Sequence, residues 1–358
     1  MIGVDARRAL QSILTCRTEV MGGRRYHCDS CRRDHFGWHS CNHRLCPVCG
    51  AGETAAWVAA RLGERLRVPH FMLTFTLPAQ LRELCRGQPR ERFLRLFFAC
   101  ASRAIKDVLE QPRHLGGKCG FFGIIQTWTQ ELLLHPHIHF IVPAVALGAD
   151  GRIRRPKNTR WLARGEVFAS RLRTLLLKAL AREALMDNAS IQPLWKIRWN
   201  CDVENFGSGE NAMKYLGAYL CRGPIGDTRV IAADATHITI SVKDRKSGQC
   251  SPAMIEGAEF VRRYLQHALP ARFHRIRYYG FMHARAKAKL AAIRAQLGEL
   301  PPPKTRTRAP EAQEHQPAVL IRCPHCKKPM SLVEHRPRAP PHLRSIPHIW
   351  NHNTPVAA

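Results

Sequence analysis

Successive side chains of a strand point to opposite faces, whereas helical positions three and four apart share one face. Phe71-Met-Leu-Thr-Phe-Thr-Leu77 alternates and stops at Pro78, which predicts a strand. Apolar residues at helical spacing predict helices over Glu91 to Gln111 and Phe168 to Met186. Between them, Gly120 to Trp128 and His137 to Leu147 read as two strands joined by a short turn. Leu194 to Val203 and Ile238 to Val242 predict further strands, and Glu210 to Cys221 and Ala258 to Ala268 further helices. Glu53 to Arg67, rich in Ala, Arg, Leu and Glu, predicts one more helix. Strands and helices mixed in this way predict an α+β fold. Past Leu300 the chain turns to Pro, Arg, Lys and His, a composition that predicts a largely disordered tail apart from its CxxC. The expected division is a module over residues 1–65, a catalytic-sized domain over 66–290 and a tail over 291–358.

Charge narrows the partners. The 56 Lys+Arg against 27 Asp+Glu leave +29 over 358 residues, spread along the chain. Such an excess repels itself unless an anionic partner neutralises it, and a nucleic acid is the simplest one. The most apolar run, Leu132 to Leu147, is broken by three histidines and two prolines, too polar to span a bilayer. With no apolar segment at the N-terminus, the expected compartment is the cytoplasm, on or near the nucleoid. There cysteines do not normally pair as disulfides.

Six of the 14 cysteines crowd between Cys16 and Cys49, and two more form Cys323-Pro-His-Cys326. Cys28-Asp-Ser-Cys31 and Cys46-Pro-Val-Cys49 lie fourteen residues apart, a spacing that predicts one four-thiolate structural Zn²⁺ site. Cys16 and Cys41, with His27, His35, His39 or His43, are the candidates for a second site. Four thiolates leave no open coordination position for chemistry. The surrounding Arg24, Arg25, Arg32, Arg33 and Arg44 suit a DNA-reading module.

Two further patterns carry chemistry. His137 and His139 flank Ile138 on a predicted strand, so both imidazoles point to one face. They either pack as ordinary sheet histidines or hold a divalent ion with a third ligand from a neighbouring strand. A turn near Leu133 places Gln130 opposite His137, and a shifted register places Gln126 there. Imidazoles with an oxygen ligand suit Mg²⁺ or Mn²⁺ acting on phosphate. Tyr215 and Tyr219 lie four apart on a predicted helix and share one face. They are either a packed aromatic stripe or nucleophiles. A phenol with a pKa near 10 needs help to attack phosphorus, and Lys214 and Arg222, as DNA contacts, stand ready to give it.

Together the histidine strand and the tyrosine pair resemble the HUH endonucleases, and within them the two-tyrosine, rolling-circle transposases of bacterial insertion sequences. Cys16-Arg-Thr, Gly22-Gly23, Tyr26-His-Cys-Asp-Ser-Cys31 and Ser40-Cys-Asn-His-Arg-Leu-Cys-Pro-Val-Cys49 resemble that family's N-terminal zinc domain. Gln126-Thr-Trp-Thr-Gln130 with His135-Pro-His-Ile-His139 resembles its metal-binding hairpin, and Tyr215-Leu-Gly-Ala-Tyr219 its nucleophile helix. Val242 to Arg245, Glu259 to Pro270 and Phe273 to Gly280 resemble its closing segments. One departure is Leu45, where a histidine is expected before Cys46, which shifts attention to His43.

The resemblance implies an HUH-like antiparallel sheet with flanking helices behind a small zinc module. It implies nicking and rejoining of single-stranded DNA at the ends of a mobile element through a 5′-phosphotyrosine, with a catalytic metal on His137, His139 and Gln130. A replication initiator or relaxase would share this chemistry. A non-catalytic zinc-dependent DNA-binding regulator would explain the charge and the cysteines and leave the histidine and tyrosine pairs without a role. Trp128, Trp195, Trp199 and Tyr278 are candidates for stacking unpaired bases or for core packing.

Overall fold

A computed structural model describes residues 3–49, 51–87, 89–158, 162–211, 213–214, 223–244, 247–299 and 321–339. The chain forms two compact units, residues 1–51 together with 304–358, and residues 52–303. Both mix helices with antiparallel strands, so the α+β expectation holds. Segment 321–339 therefore joins the first unit, and helix Ala51–Gly63 runs almost wholly in the second.

The larger unit is built on a five-stranded antiparallel sheet. Its spatial order is Ile276–Tyr279, Phe121–Trp128, Leu134–Pro143, His70–Thr76 and Asn200–Asn205. The strand with the two histidines is central, and all but one of its residues are buried. Register pairs His137 with Gln126 on one side and with Thr76 on the other, while His139 pairs with Ile124 and Thr74. The strand expected over Leu194 to Val203 starts later, because Gln192–Trp195 closes into a 3₁₀ turn with proline near its start.

Alternation splits this sheet into two faces. Phe75, Ile125, Ile138 and Phe140 point to a large apolar core. Helix Arg90–Leu109 covers it with Phe93, Phe97, Ala101, Ala104 and Val108, a stripe at helical spacing. Helix Gly165–Arg182 adds Phe168, Leu172 and Leu176. Gly123 faces Phe140 across the hairpin, and a β-carbon there would lie 2.3 Å from the phenyl ring. Only glycine lets this ring cross the strand.

The other face carries Gln126, His137, His139, Thr74 and Thr76, continued by Asp202 and Asn200 on the edge strand. Beside this polar stripe lies a small apolar cluster of Met72, Phe122, Ile124, Ile141 and Met213. A second sheet (Val230–Ala233, His237–Lys243, Cys250–Glu256) leads into helix Gly257–Leu265. That helix is capped by the Glu256 carboxylate, which accepts from the amides of Ala258 and Glu259.

In the smaller unit, hairpin strands Gly23–Cys28 and Arg33–Trp38 are joined by a third antiparallel strand, Ser331–Arg336, paired to Gly23–Cys28. The tail, expected to be largely disordered apart from its CxxC, therefore contains a folded strand as well. The short alternation Ser331-Leu-Val-Glu-His-Arg336 carries a strand signal that the surrounding Pro and Arg composition obscured.

Candidate metal centres and the polar face of the sheet

Eight of the cysteines gather into two tetrads, Cys16 with Cys41, Cys46 and Cys49, and Cys28 with Cys31, Cys323 and Cys326. Within each, all four sulfurs lie within 4.8 Å of one another. The expectation that Cys28, Cys31, Cys46 and Cys49 share one ion is thus wrong, as is the idea that histidines complete a site with Cys16 and Cys41. The two nearest CxxC turns point into different clusters because the Gly23–Trp38 hairpin separates them. Cys16 and Cys49 sulfurs are 3.5 Å apart, Cys41 and Cys49 3.7 Å. The tetrahedral edge for Zn–S bonds of about 2.3 Å is about 3.8 Å, so the donor set fits Zn²⁺.

Backbone amides complete the first tetrad. The Cys41 and His43 amides donate to the sulfurs of Cys16 and Cys41, each at 3.4 Å. The Cys41 thiol foremost, then the Cys49 and Val48 amides and the Cys16 thiol, pull the Cys46 thiol down to about 5, the thiolate character that zinc requires. The histidines have other partners. His27 pairs with Asp34 at 2.7 Å, and His43 Nδ1 accepts from the Leu45 amide at 3.2 Å. Leu45 itself is buried.

On the sheet face, His137 Nδ1 donates to the carbonyl of His135 at 2.6 Å. Neutral imidazole has one donor and one acceptor, so Nε2 presents its lone pair. It meets Oε1 of Gln126 at 3.1 Å. Two acceptors at this distance match neighbouring ligands of an octahedral ion, which sit about 3 Å apart for bonds of about 2.1 Å. The Gln126 amide nitrogen is buried with no hydrogen-bond partner among the described residues. The donor set therefore fits a divalent cation. His139 lies with its ring centroid 4.8 Å from that of His137, and its Nδ1 is 2.9 Å from the Thr74 hydroxyl. Such a partner on one ring nitrogen orients the other.

Gln130 is not across from His137. It lies in the turn after the Phe121–Trp128 strand, where its main-chain carbonyl accepts from the Arg229 guanidinium. The turn spans Thr129–Leu133, so Gln126 is the facing amide. His135, whose ring is 5.4 Å from that of His137, is a third histidine on the strand that sequence reasoning did not single out. The i, i+2 pattern from His135 to His139 was the available signal.

The turn is fixed from outside the hairpin. His267 is buried, donates from Nε2 to the Leu132 carbonyl at 3.0 Å, and accepts at Nδ1 from Thr127 at 3.0 Å. Gln266 donates to the same carbonyl at 2.9 Å. Burial holds the His267 pKa down to about 4, so the ring is neutral. Leu132 adopts φ +62°, a left-handed conformation that costs a non-glycine residue about 1 kcal/mol and is held by these contacts.

Tyr215, Tyr219 and Arg222 lie outside the described residues. The segment leading to them begins as a helix at Glu210, and Met213, two positions before Tyr215, is buried on the sheet face that carries His137 and His139. Lys214 pairs with Glu210 at 2.6 Å, one helical turn back. Trp128 and Trp199 are buried, the latter donating to the Leu194 carbonyl. Trp195 lies under Arg173, and Tyr278 bonds Trp57 at 3.2 Å, so all four pack within the fold.

The fold and the cysteines define a zinc-carrying α+β protein with a polar, histidine-lined sheet face. Residues 2–77 match the family described as "Transposase zinc-binding domain", and residues 120–289 match the one described as "Putative transposase". A Sinorhizobium fredii protein that carries the latter description is 32% identical over 352 residues, covering 89% of this chain and 86% of the relative. The transposase for insertion sequence element IS801 of Pseudomonas savastanoi pv. phaseolicola is 26% identical over 290 residues, covering 75% of this chain and 68% of its own length. No solved structure matches. The chain belongs to the IS91 family of insertion-sequence transposases. Its substrate is accordingly DNA. No helix among the described residues is long and apolar enough to cross a membrane.

Proposed function

We propose that the protein nicks and rejoins single-stranded DNA at the ends of an insertion sequence through a phosphotyrosine link, in rolling-circle fashion. The observation that supports this most is the burial of Met213, two residues before Tyr215, on the sheet face that carries His137 and His139. In this reading His137, His139 and Gln126 would hold Mg²⁺ or Mn²⁺, which would supply Lewis-acid polarisation of the scissile phosphate. Tyr215 or Tyr219 forms an oxygen–phosphorus bond as the bond from phosphorus to the 3′ oxygen breaks. The phenolic proton ends on the departing 3′-hydroxyl, and the 5′ phosphate stays on the enzyme.

The second tyrosine makes another attack while the first link persists, so phosphate energy is conserved without ATP. Arg222 and the wider basic surface hold the strand, since phosphate neutralisation dominates affinity. Lys214, exposed and paired with Glu210, has further N–H donors to offer a phosphate. The setting is the cytoplasm, where the element's DNA is found.

His137→Ala and His139→Ala test this reading. Each is expected to abolish cleavage of a labelled single-stranded oligonucleotide in Mg²⁺ while leaving oligonucleotide affinity within about threefold, because the basic side chains set affinity. Loss of folding and affinity together would make the histidines structural.

A further inference from the structure

The C-terminal CxxC has no place in either matched segment, which end at residues 77 and 289. Yet the Cys28 and Cys326 sulfurs, 298 residues apart in sequence, lie 3.5 Å apart. We propose that Cys28, Cys31, Cys323 and Cys326 bind a second structural zinc ion. This ion fastens segment 321–339 to the N-terminal hairpin, so the zinc module is assembled from two distant pieces of chain.

Three independent features of the structure carry this. The first is the donor set, four sulfurs within 4.8 Å of one another, the number and type that closed zinc sites use.

The second is a repeated local geometry. Cys28-Asp-Ser-Cys31-Arg32-Arg33 and Cys323-Pro-His-Cys326-Lys327-Lys328 are both CxxC followed by two basic residues. In each, the residue after the second cysteine takes a left-handed conformation, Arg32 at φ +49° and Lys327 at φ +60°. After the second reversal the Lys328 amide bonds the Cys326 sulfur, and within the two turns the Cys31 amide bonds the Cys28 sulfur and those of His325 and Cys326 bond Cys323. Side chains that rarely adopt this conformation are held in it twice, at matching positions. Four thiolates around Zn²⁺ carry a net charge of −2, and the paired cations beside each knuckle offset it.

The third is backbone continuity. The second knuckle is closed by the Cys323 amide on the Lys328 carbonyl at 2.8 Å and by the Met330 amide on the Ile321 carbonyl at 2.9 Å. It runs directly into Ser331–Arg336, which pairs with Gly23–Cys28 along its length. Arg336 at the far end lies over the Phe36 and Trp38 rings, 5.2 and 5.9 Å from their centroids. The strand is anchored at one end by these contacts and at the other by the four sulfurs.

The proposal concerns metal content and strand docking, and it stands whether or not the nicking reading holds. Zinc per chain is measured by elemental mass spectrometry on full-length protein purified under reducing conditions. Two ions are expected for the native chain, one per tetrad. One is expected for Cys323→Ser/Cys326→Ser, and one for Cys16→Ser/Cys41→Ser. Hydrogen exchange of the Gly23–Cys28 amides is expected to rise in the Cys323→Ser/Cys326→Ser protein, with exchange in Phe121–Trp128 unchanged as the control for folding. Cys326→His, which keeps a zinc-ligating side chain, should retain both ions. One zinc in the native chain, two in Cys323→Ser/Cys326→Ser, or a Cys28–Cys326 disulfide without a second ion would each overturn the proposal.

Discussion

Gln126 Oε1 stands 3.1 Å from Nε2 of His137, across the hairpin that carries both. The His137 ring spends its N–H on the His135 carbonyl, so two acceptors face each other where a cation would bind. The amide side chain is thus placed as a ligand by strand register.

Replacing Gln126 tests that placement. Gln126→Ala is expected to lower cleavage about 10- to 100-fold at fixed Mg²⁺ and to recover partly as Mn²⁺ is raised. Gln130→Ala should leave the rate within about twofold, because the interaction the structure gives Gln130 is made by its backbone carbonyl and survives the change. Titrating the metal for both variants distinguishes them. Equal loss in the two would place the ligand outside the observed register.

The alternation of apolar residues located the three inner sheet strands and the two long helices but not the edge strand Ile276–Tyr279, and the His137-Ile-His139 pattern put both imidazoles on one face. Register was less legible. Gln126 and Gln130 both fit the sequence, and the turn position that decides between them, Thr129–Leu133, is held by His267, contributed from far along the chain. Cysteine spacing misled for a similar reason. The nearest CxxC pair looked sufficient, and nothing local shows that Cys28 turns towards Cys323 and Cys326. Met213 was invisible because its value lies in the face it covers.

Stability of the larger unit should fall in acid. His267 and His70 are buried and titrate at about 4, below the ordinary 6.5, because burial penalises the charged ring. Between those values the unfolded chain binds protons that the folded chain does not, so stability is full above about pH 6.5 and is lost as pH falls towards 4. Thermal unfolding between pH 7 and 4 is expected to show this slope. His267→Gln, which retains hydrogen bonding and cannot ionise, should make the slope shallower. An unchanged slope would mean that His267 does not titrate as its burial requires.

Gly123→Ala is expected to destabilise the sheet by about 1–3 kcal/mol, since the new methyl group overlaps the Phe140 ring and the core must shift. Denaturant unfolding of this variant, compared with Gly226→Ala, where a β-carbon meets nothing within 4 Å and φ is not positive, isolates the steric term from glycine's backbone entropy. Equal denaturation midpoints would show that the Phe140 ring can move aside.

In the proposed reaction a tyrosine on the segment following Met213 becomes joined to DNA. Intact-mass spectrometry of the protein incubated with a single-stranded oligonucleotide and Mn²⁺ measures this, with peptide mapping to locate the link. The native protein, Tyr215→Phe and Tyr219→Phe should each form one covalent adduct, mapped to Tyr215 or Tyr219, and the double Phe variant none. An adduct on a residue outside 210–222, or undiminished adduct in the double variant, would contradict the account.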